Sequence, residues 1–196
     1  MSESSPSIWE GTVVRLRAVE PHDWPLFYKD GADTEAQRAY GAVQFPASSE
    51  SGRKWAERES LAHPEDGSWR FAVETIVGGE LVGSISTHRV DRRNGTFSYG
   101  LGVFGEHRRK GYAADAILVV LRYYFTELRF QKVFADVYDF NESSLNLHRK
   151  LGFIEEGRLR RMLFTQGRYH DMFLFGMTAE EFFALHPGQY RPPPAE

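Results

Sequence analysis

The sequence predicts a mixed α/β domain built on one central, mostly antiparallel sheet flanked by helices. Three observations carry that expectation. Between residues 69 and 104, alternating apolar segments are joined by the turn pairs Gly78-Gly79 and Asn94-Gly95, which mark antiparallel hairpins. Between 111 and 152, two segments of helical period flank the β-branched run KVFADVY. Beyond 152, two further alternating runs meet at Gln166-Gly167.

The elements follow in order. TVVRLRAV (12–19) sets Val14, Leu16 and Ala18 against Arg15 and Arg17, a half-buried strand. Pro21, Asp23, Trp24, Leu26 and Phe27 predict a short helix, 31–50 reads as irregular, and SGRKWAERESLA (51–62) as a polar helix. Trp69, Phe71 and Val73 alternate on the strand before Gly78-Gly79, and ELVGSISTHRV returns from it. TFSYGLGVF follows the Asn94-Gly95 turn as a strand with glycines at 100 and 102. A helix of about 18 residues starts at Gly111, with Ala113, Ala116, Ile117, Val120, Leu121, Tyr124, Phe125 and Leu128 spaced by three and four. Asn141 is a good N-cap for ESSLNLHRKL, which Gly152 closes. Residues 153–164 and 168–177 read as strands, and Thr178 with Glu181 forms a capping box for EEFFAL. The Ser-rich front (1–9) and Pro-rich end (186–196) read as flexible, leaving one domain over 10–185.

Composition narrows the function. The chain has 196 residues, 41% hydrophobic and 26% charged, as expected of one soluble globular domain. A net charge of −3 argues against wholesale nucleic-acid binding. The lack of cysteine excludes disulfides, a thiol nucleophile and thiolate metal sites, and suits the cytoplasm. MSESSPSIWE lacks the basic end and apolar stretch of a signal peptide, and no apolar run approaches the roughly 20 residues of a membrane span. The seven histidines show no metal spacing. Trp24, Phe27 and Trp55 read as packing residues, and Arg158, Arg160 and Arg161 as a solvated face.

The stretch with chemistry in it is GEHRRKGYAADA (105–116). A strand end, a basic turn and a helix start place unpaired backbone N–H groups and the positive end of a helix dipole at one point, which suits a phosphate. Gly111 removes the Cβ that would hold an anion off the backbone, and Ala113 leaves room beyond it. Arg108, Arg109 and Lys110 add attraction. The bland alternative is a solvated basic turn. Neither G-x-x-x-x-G-K-[ST] nor G-x-G-x-x-G is present. Gly100 and Gly102 suggest a strand that splays from its neighbour, exposing N–H and C=O groups to an extended, amide-bearing ligand. Coenzyme A has both a pyrophosphate and such an arm.

R-R-K-G-Y-A (108–113) resembles the Q/R-x-x-G-x-G/A signature of the GNAT acetyltransferase superfamily. NESSLNLHRKLGF (141–153) is similar to its later motif, an Asn opening a helix closed by Gly-Phe. The resemblance covers roughly 10–177, and 155–177 is similar to the branch containing the ribosomal-protein alanine N-acetyltransferases. It implies the GNAT fold, with acceptor-side helices in 22–66 and an acetyl-CoA-binding core in 96–153. It implies transfer from acetyl-CoA to a primary amine, on a protein N-terminus or a small molecule, and is compatible with a homodimer. Backbone amides of Arg108, Arg109, Lys110, Gly111, Tyr112 and Ala113 would hold the pyrophosphate. Val103 would pair with the pantetheine arm and polarise the thioester, and Asn141 would help hold the arm. Many relatives carry a tyrosine where this chain has His148, so His148 is the candidate proton donor to the leaving thiolate, the alternative being a residue that only packs on a helix face. The place of the usual basic carboxylate holds Ser98, so the amine would lose its proton through water or to the hairpin cluster Tyr169-His170-Asp171, with Asp171 the candidate base and a capping or salt-bridging role its alternative. A non-catalytic CoA-binding module, and a ribosome- or RNA-associated protein using the basic turn and 158–161, are the alternatives.

Overall fold

The computed structural model describes residues 7–64 and 68–189. Seven strands form one sheet in the order β1-β2-β3-β4-β5-β7-β6. They are β1 (Val14–Arg17), β2 (Arg70–Thr75), β3 (Leu81–Asp91), β4 (Thr96–Val103), β5 (Lys132–Tyr138), β6 (Ile154–Thr165) and β7 (Arg168–Thr178). Every neighbouring pair is antiparallel except β4 and β5, which are parallel. A parallel pair needs a crossover. Here it is α4 (Tyr112–Thr126), followed after β5 by α5 (Glu142–Leu151).

Alternation along the strands sorts the two faces. Phe71 and Val73 of β2, Ile85 of β3, Phe97 and Tyr99 of β4, and Val133, Ala135 and Val137 of β5 join the main core with α4 and α5. The intervening residues face the other way. There Ala72 and Leu81 pack with Phe104, Phe27 of α1 (Trp24–Asp30) and Trp55 of α3 (Ser49–Ser60). Phe27 meets Trp55 and Phe104 edge-on, so two of the expected packing aromatics do pack there.

Some boundaries differ from expectation for local reasons. β1 starts late because Asp115 of α4 accepts the N–H groups of Thr12, Val13 and Val14 before ladder pairing begins. The stretch expected to be irregular contains α2 (Thr34–Ala39), capped by Asp33, whose carboxylate accepts from Glu35 N. Six residues with one buried side chain, Ala36, give no periodicity to read. α4 ends at Thr126, not 128. The capping box at Thr178 opens α6 (Ala179–Leu185) as expected. Most of the ends expected to be loose lie outside the described residues. The described part is held: Trp9 packs on Phe71 and Tyr123, and Arg122 donates to the carbonyls of Ile8 and Glu10 and to Gln189.

The feature that positions the site is a divergence at mid-sheet. β4 and β5 pair only at Thr96↔Lys132, Phe97↔Val133 and Ser98↔Phe134. β5 then continues along β7 to Tyr138↔Met172, while β4 continues along β3 to Gly83↔Val103. A wedge therefore opens between the parallel strands beyond Ser98.

Candidate active site

The wedge exposes a ladder edge. Phe104 N–H bonds Val82 O at 2.9 Å, so by antiparallel alternation the N–H and C=O groups of Val103, Leu101 and Tyr99 face away from β3, toward the diverging β5. An extended ligand carrying amides can add there as a strand would.

At the outer end of β4 the chain makes a 3₁₀ turn, Gly105–His107, and enters the basic loop. Arg109 and Gly111 both adopt left-handed backbone, with φ 66° and 87°. Such conformations let successive N–H groups converge on one point. The first intrahelical bond of α4 runs from Asp115 N–H to Gly111 O, so the amides before it have no helical acceptor. A Cβ built at Gly111 meets no atom within 4 Å, so the space in front of the loop is open and a side chain would fill it. These features fit a pyrophosphate.

Two side chains of the basic stretch do not point at that space. His107 is buried, with Nε2 3.8 Å from the Glu80 carboxylate. Arg108, expected to attract the pyrophosphate, turns back along the strand. Its Nε donates to Val103 O at 3.1 Å, and its guanidinium lies 3.9 Å from Asp33. Arg109 and Lys110 are exposed, and Tyr112 packs against the core.

Asn141 caps α5, its Oδ1 accepting from Ser144 N–H at 3.2 Å and from Ser143 Oγ at 3.0 Å. The carboxamide oxygen is thus committed to the helix.

His148 is buried beside the main core, only 5% exposed. Its Nδ1 donates to Ser144 O at 2.8 Å, which leaves Nε2 to accept the Tyr99 hydroxyl at 2.9 Å. The ring stacks on Phe175. Burial holds its pKa below the ordinary imidazole value, so it stays neutral. In this arrangement the imidazole proton is bonded to a carbonyl and the other ring nitrogen accepts from Tyr99, whereas the resemblance implies a proton donor at this position.

Asp171 departs from expectation too. It accepts the backbone N–H of Arg161 and the Nε of Arg158, each at 2.8 Å, and these hold its pKa below the usual carboxylate range. The carboxylate pins an irregularity in β6, where two residues are gained between Leu159↔Met172 and Leu163↔His170. In this arrangement the carboxylate is engaged by Arg158 and the Arg161 backbone. Its neighbours part company: His170 is buried on Asp139, and Tyr169 is exposed beneath the Arg161 guanidinium. Ser98 is fully buried, and its Oγ accepts from Arg89 at 3.3 Å.

Around the wedge, on the face of α1 to α3, lie residues that sequence reasoning missed. The Tyr40 hydroxyl, just beyond α2, occupies the space a Gly102 Cβ would need. Burial of that hydroxyl and the nearby Asp30 carboxylate push its pKa up to about 12. Burial, outweighing the attraction of Arg108, raises the pKa of Asp30, and Asp33 lies beside it. His88 of β3 stands across from Ser98, with Cε1 3.5 Å from where a Gly100 Cβ would be. The one sequence signal was the pair of bare positions on β4.

Among the described residues, no His/Asp/Glu group is placed to hold a metal, and no helix is long and apolar enough to cross a membrane.

Residues 14–154 match the family described as "Acetyltransferase (GNAT) domain". The "SPbeta prophage-derived uncharacterized N-acetyltransferase YokL" of Bacillus subtilis (strain 168) is 45% identical over 179 residues, covering 91% of this chain and 97% of that protein. The spermidine N(1)-acetyltransferase of Escherichia coli (strain K12) is 30% identical over 122 residues, 61% of this chain and 64% of that protein. Among solved structures, Vibrio cholerae spermidine N-acetyltransferase, in complex with CoA and spermine, superposes with a TM-score of 0.75 at 24% identity, covering 87% of this chain and 98% of that one. A divergent parallel strand pair, a left-handed basic loop at the mouth of α4 and relatives of this kind lead to one assignment: the chain belongs to the GNAT acetyltransferase family and is an N-acetyltransferase.

Proposed function

We propose that the protein transfers the acetyl group of acetyl-CoA to a primary amine on a small cationic acceptor. The observation that supports this most is the wedge itself, a free ladder edge at residues 99–103 leading into the open left-handed loop at Arg109 and Gly111. The pyrophosphate would lie on the amides of residues 108–113. The pantetheine arm would pair with Val103, displacing the Arg108 guanidinium from the Val103 carbonyl. Acetyl-CoA supplies the activated acyl carbon, and the chain supplies position and polarity. A ladder N–H beyond Ser98 donates toward the oxygen that gains charge, and holding the amine near its target lowers the barrier.

The acceptor class rests on charge. Asp30 and Asp33 lie beside Tyr40 at the outer end of β4, where a second positive group of a polyamine would sit. Spermidine is the substrate named for the Escherichia coli relative. A panel of polyamines, amino-acid amides and peptides, assayed for free thiol with acetyl-CoA, tests the reading. Asp33→Asn is the sharper probe, because asparagine keeps the α2 cap and removes the charge. It should raise KM for a cationic acceptor about five- to tenfold, or ~1–1.4 kcal/mol, and less at high salt. Equal KM values for cationic and neutral acceptors in the parent would rule out this acceptor class.

A further inference from the structure

We propose that His88 is the general base that takes the proton from the attacking amine. This rests on the transferase reading above and adds the group that reading lacks.

Position comes first. The ladder edge that would take the thioester arm lies in the plane of the sheet, on the side of β4 away from β3. The amine reaches it over the face shared by Ser86 and His88 of β3 and Ser98, Gly100 and Gly102 of β4. Gly100 and Gly102 place no side chain between face and edge. His88 looks onto the first bare position and the Tyr40 hydroxyl covers the second. The two are separated by roughly 7 Å of strand, enough for one amine-bearing carbon chain. His88 is half-buried on this face.

The rivals on this face are engaged or unsuited. Asp136 of β5 is paired with Arg89. Ser98 is buried and has no base of its own. The Tyr40 phenol ionises only near pH 12. Asp30 and Asp33 lie at the outer end of β4, with Arg108. The charged groups acting on His88 are Arg89 of its own strand, Arg70 of β2 and Asp136 of β5. Burial first, then Arg89, lowers its pKa, so the imidazole is neutral and able to accept a proton at pH 7.

An alkyl ammonium is far too weak an acid to give its proton to such an imidazole, so the transfer belongs to bond formation. The neutral amine attacks the acetyl carbon and the C–N bond forms, making the nitrogen cationic and strongly acidic. His88 takes that proton as the C–S bond breaks. The departing sulfur gains a proton from His88 or through water, so nitrogen loses one proton, sulfur gains one, and the imidazole returns to neutral.

The test is kcat/KM for parent and His88→Gln across pH 5 to 9 with one amine, alongside CoA affinity by calorimetry. The ratio of the two rates cancels the ionisation of the acceptor. It should climb with pH to a plateau of about 10²–10³, with its midpoint below the ordinary imidazole value of about 6.5, while CoA affinity stays within about twofold. His88→Ala should regain part of the rate when imidazole is added, which a packing role would not allow. A flat ratio near one, with no imidazole rescue and a working parent, overturns the proposal alone. A parent that binds CoA but acetylates no amine overturns the transferase reading and the proposal with it.

Discussion

The imidazole of His148 holds its single proton on Nδ1, against Ser144 O, and accepts from Tyr99 at Nε2. Its depressed pKa has a consequence for stability. Below about pH 6.5 the unfolded chain binds a proton here that the folded chain refuses. The contribution of this residue is therefore fully present above that value and shrinks as pH falls toward the folded pKa. Denaturant melts between pH 7 and 5 should show that decline, and His148→Phe should flatten it. The same substitution leaves the buried Tyr99 hydroxyl without its acceptor, at a cost of about 1–3 kcal/mol at neutral pH. CoA affinity should be unchanged, and kcat should fall less than tenfold, short of the ~10² that marks general acid catalysis. A loss of kcat of ~10² or more would place His148 in the chemistry. Nothing in L-H-R-K-L-G-F tells a proton donor from a packed acceptor. The difference lies in Tyr99, 49 residues away in sequence.

At the scale of elements, legibility followed the range of the interactions that make each one. Gly111 at the mouth of α4, Asn141 at the start of α5 and Thr178 before α6 are local devices, and each stands where its neighbours predict. The splay was legible as well, because Gly100 and Gly102 sit where β4 leaves β5. α2 was not, since its short, polar turn is defined by Asp33 and by what it covers. Nor was the irregularity in β6, which Asp171 sets from the partner strand. The proposed acceptor side was the least legible part, because Tyr40 and His88 come to the same face of β4 only once α2 and β3 are assembled around it. One substitution examines that assembly. Gly102→Ala puts a methyl where the Tyr40 hydroxyl sits, and the flexible phenol must move. Acceptor KM should rise about fivefold, or ~1 kcal/mol, with CoA affinity within twofold. A change confined to CoA affinity would show that Gly102 serves the arm instead of the acceptor.

For the whole molecule, the sheet divides the work. One face carries α4, α5 and the main core and makes the scaffold rigid. The other carries α1 to α3, the carboxylates Asp30 and Asp33, and His88. The wedge between β4 and β5 joins them, because among the described residues a ladder edge lies open there at the centre of the sheet. The net charge of −3 coexists with a basic run at 107–110, of which Arg109 and Lys110 are exposed at the loop. The most direct test of this arrangement is a calorimetric titration of CoA into the parent and Gly111→Val. The left-handed backbone at Gly111 makes valine cost about 1–2 kcal/mol of stability, so the comparison is made well below the melting temperature of the variant. The parent should bind, and the variant should bind at least tenfold more weakly, or ~1.4 kcal/mol, because the side chain fills the space in front of the loop amides. A folded variant that binds CoA within about twofold of the parent would contradict the placement of the pyrophosphate, and with it the cradle at the mouth of α4.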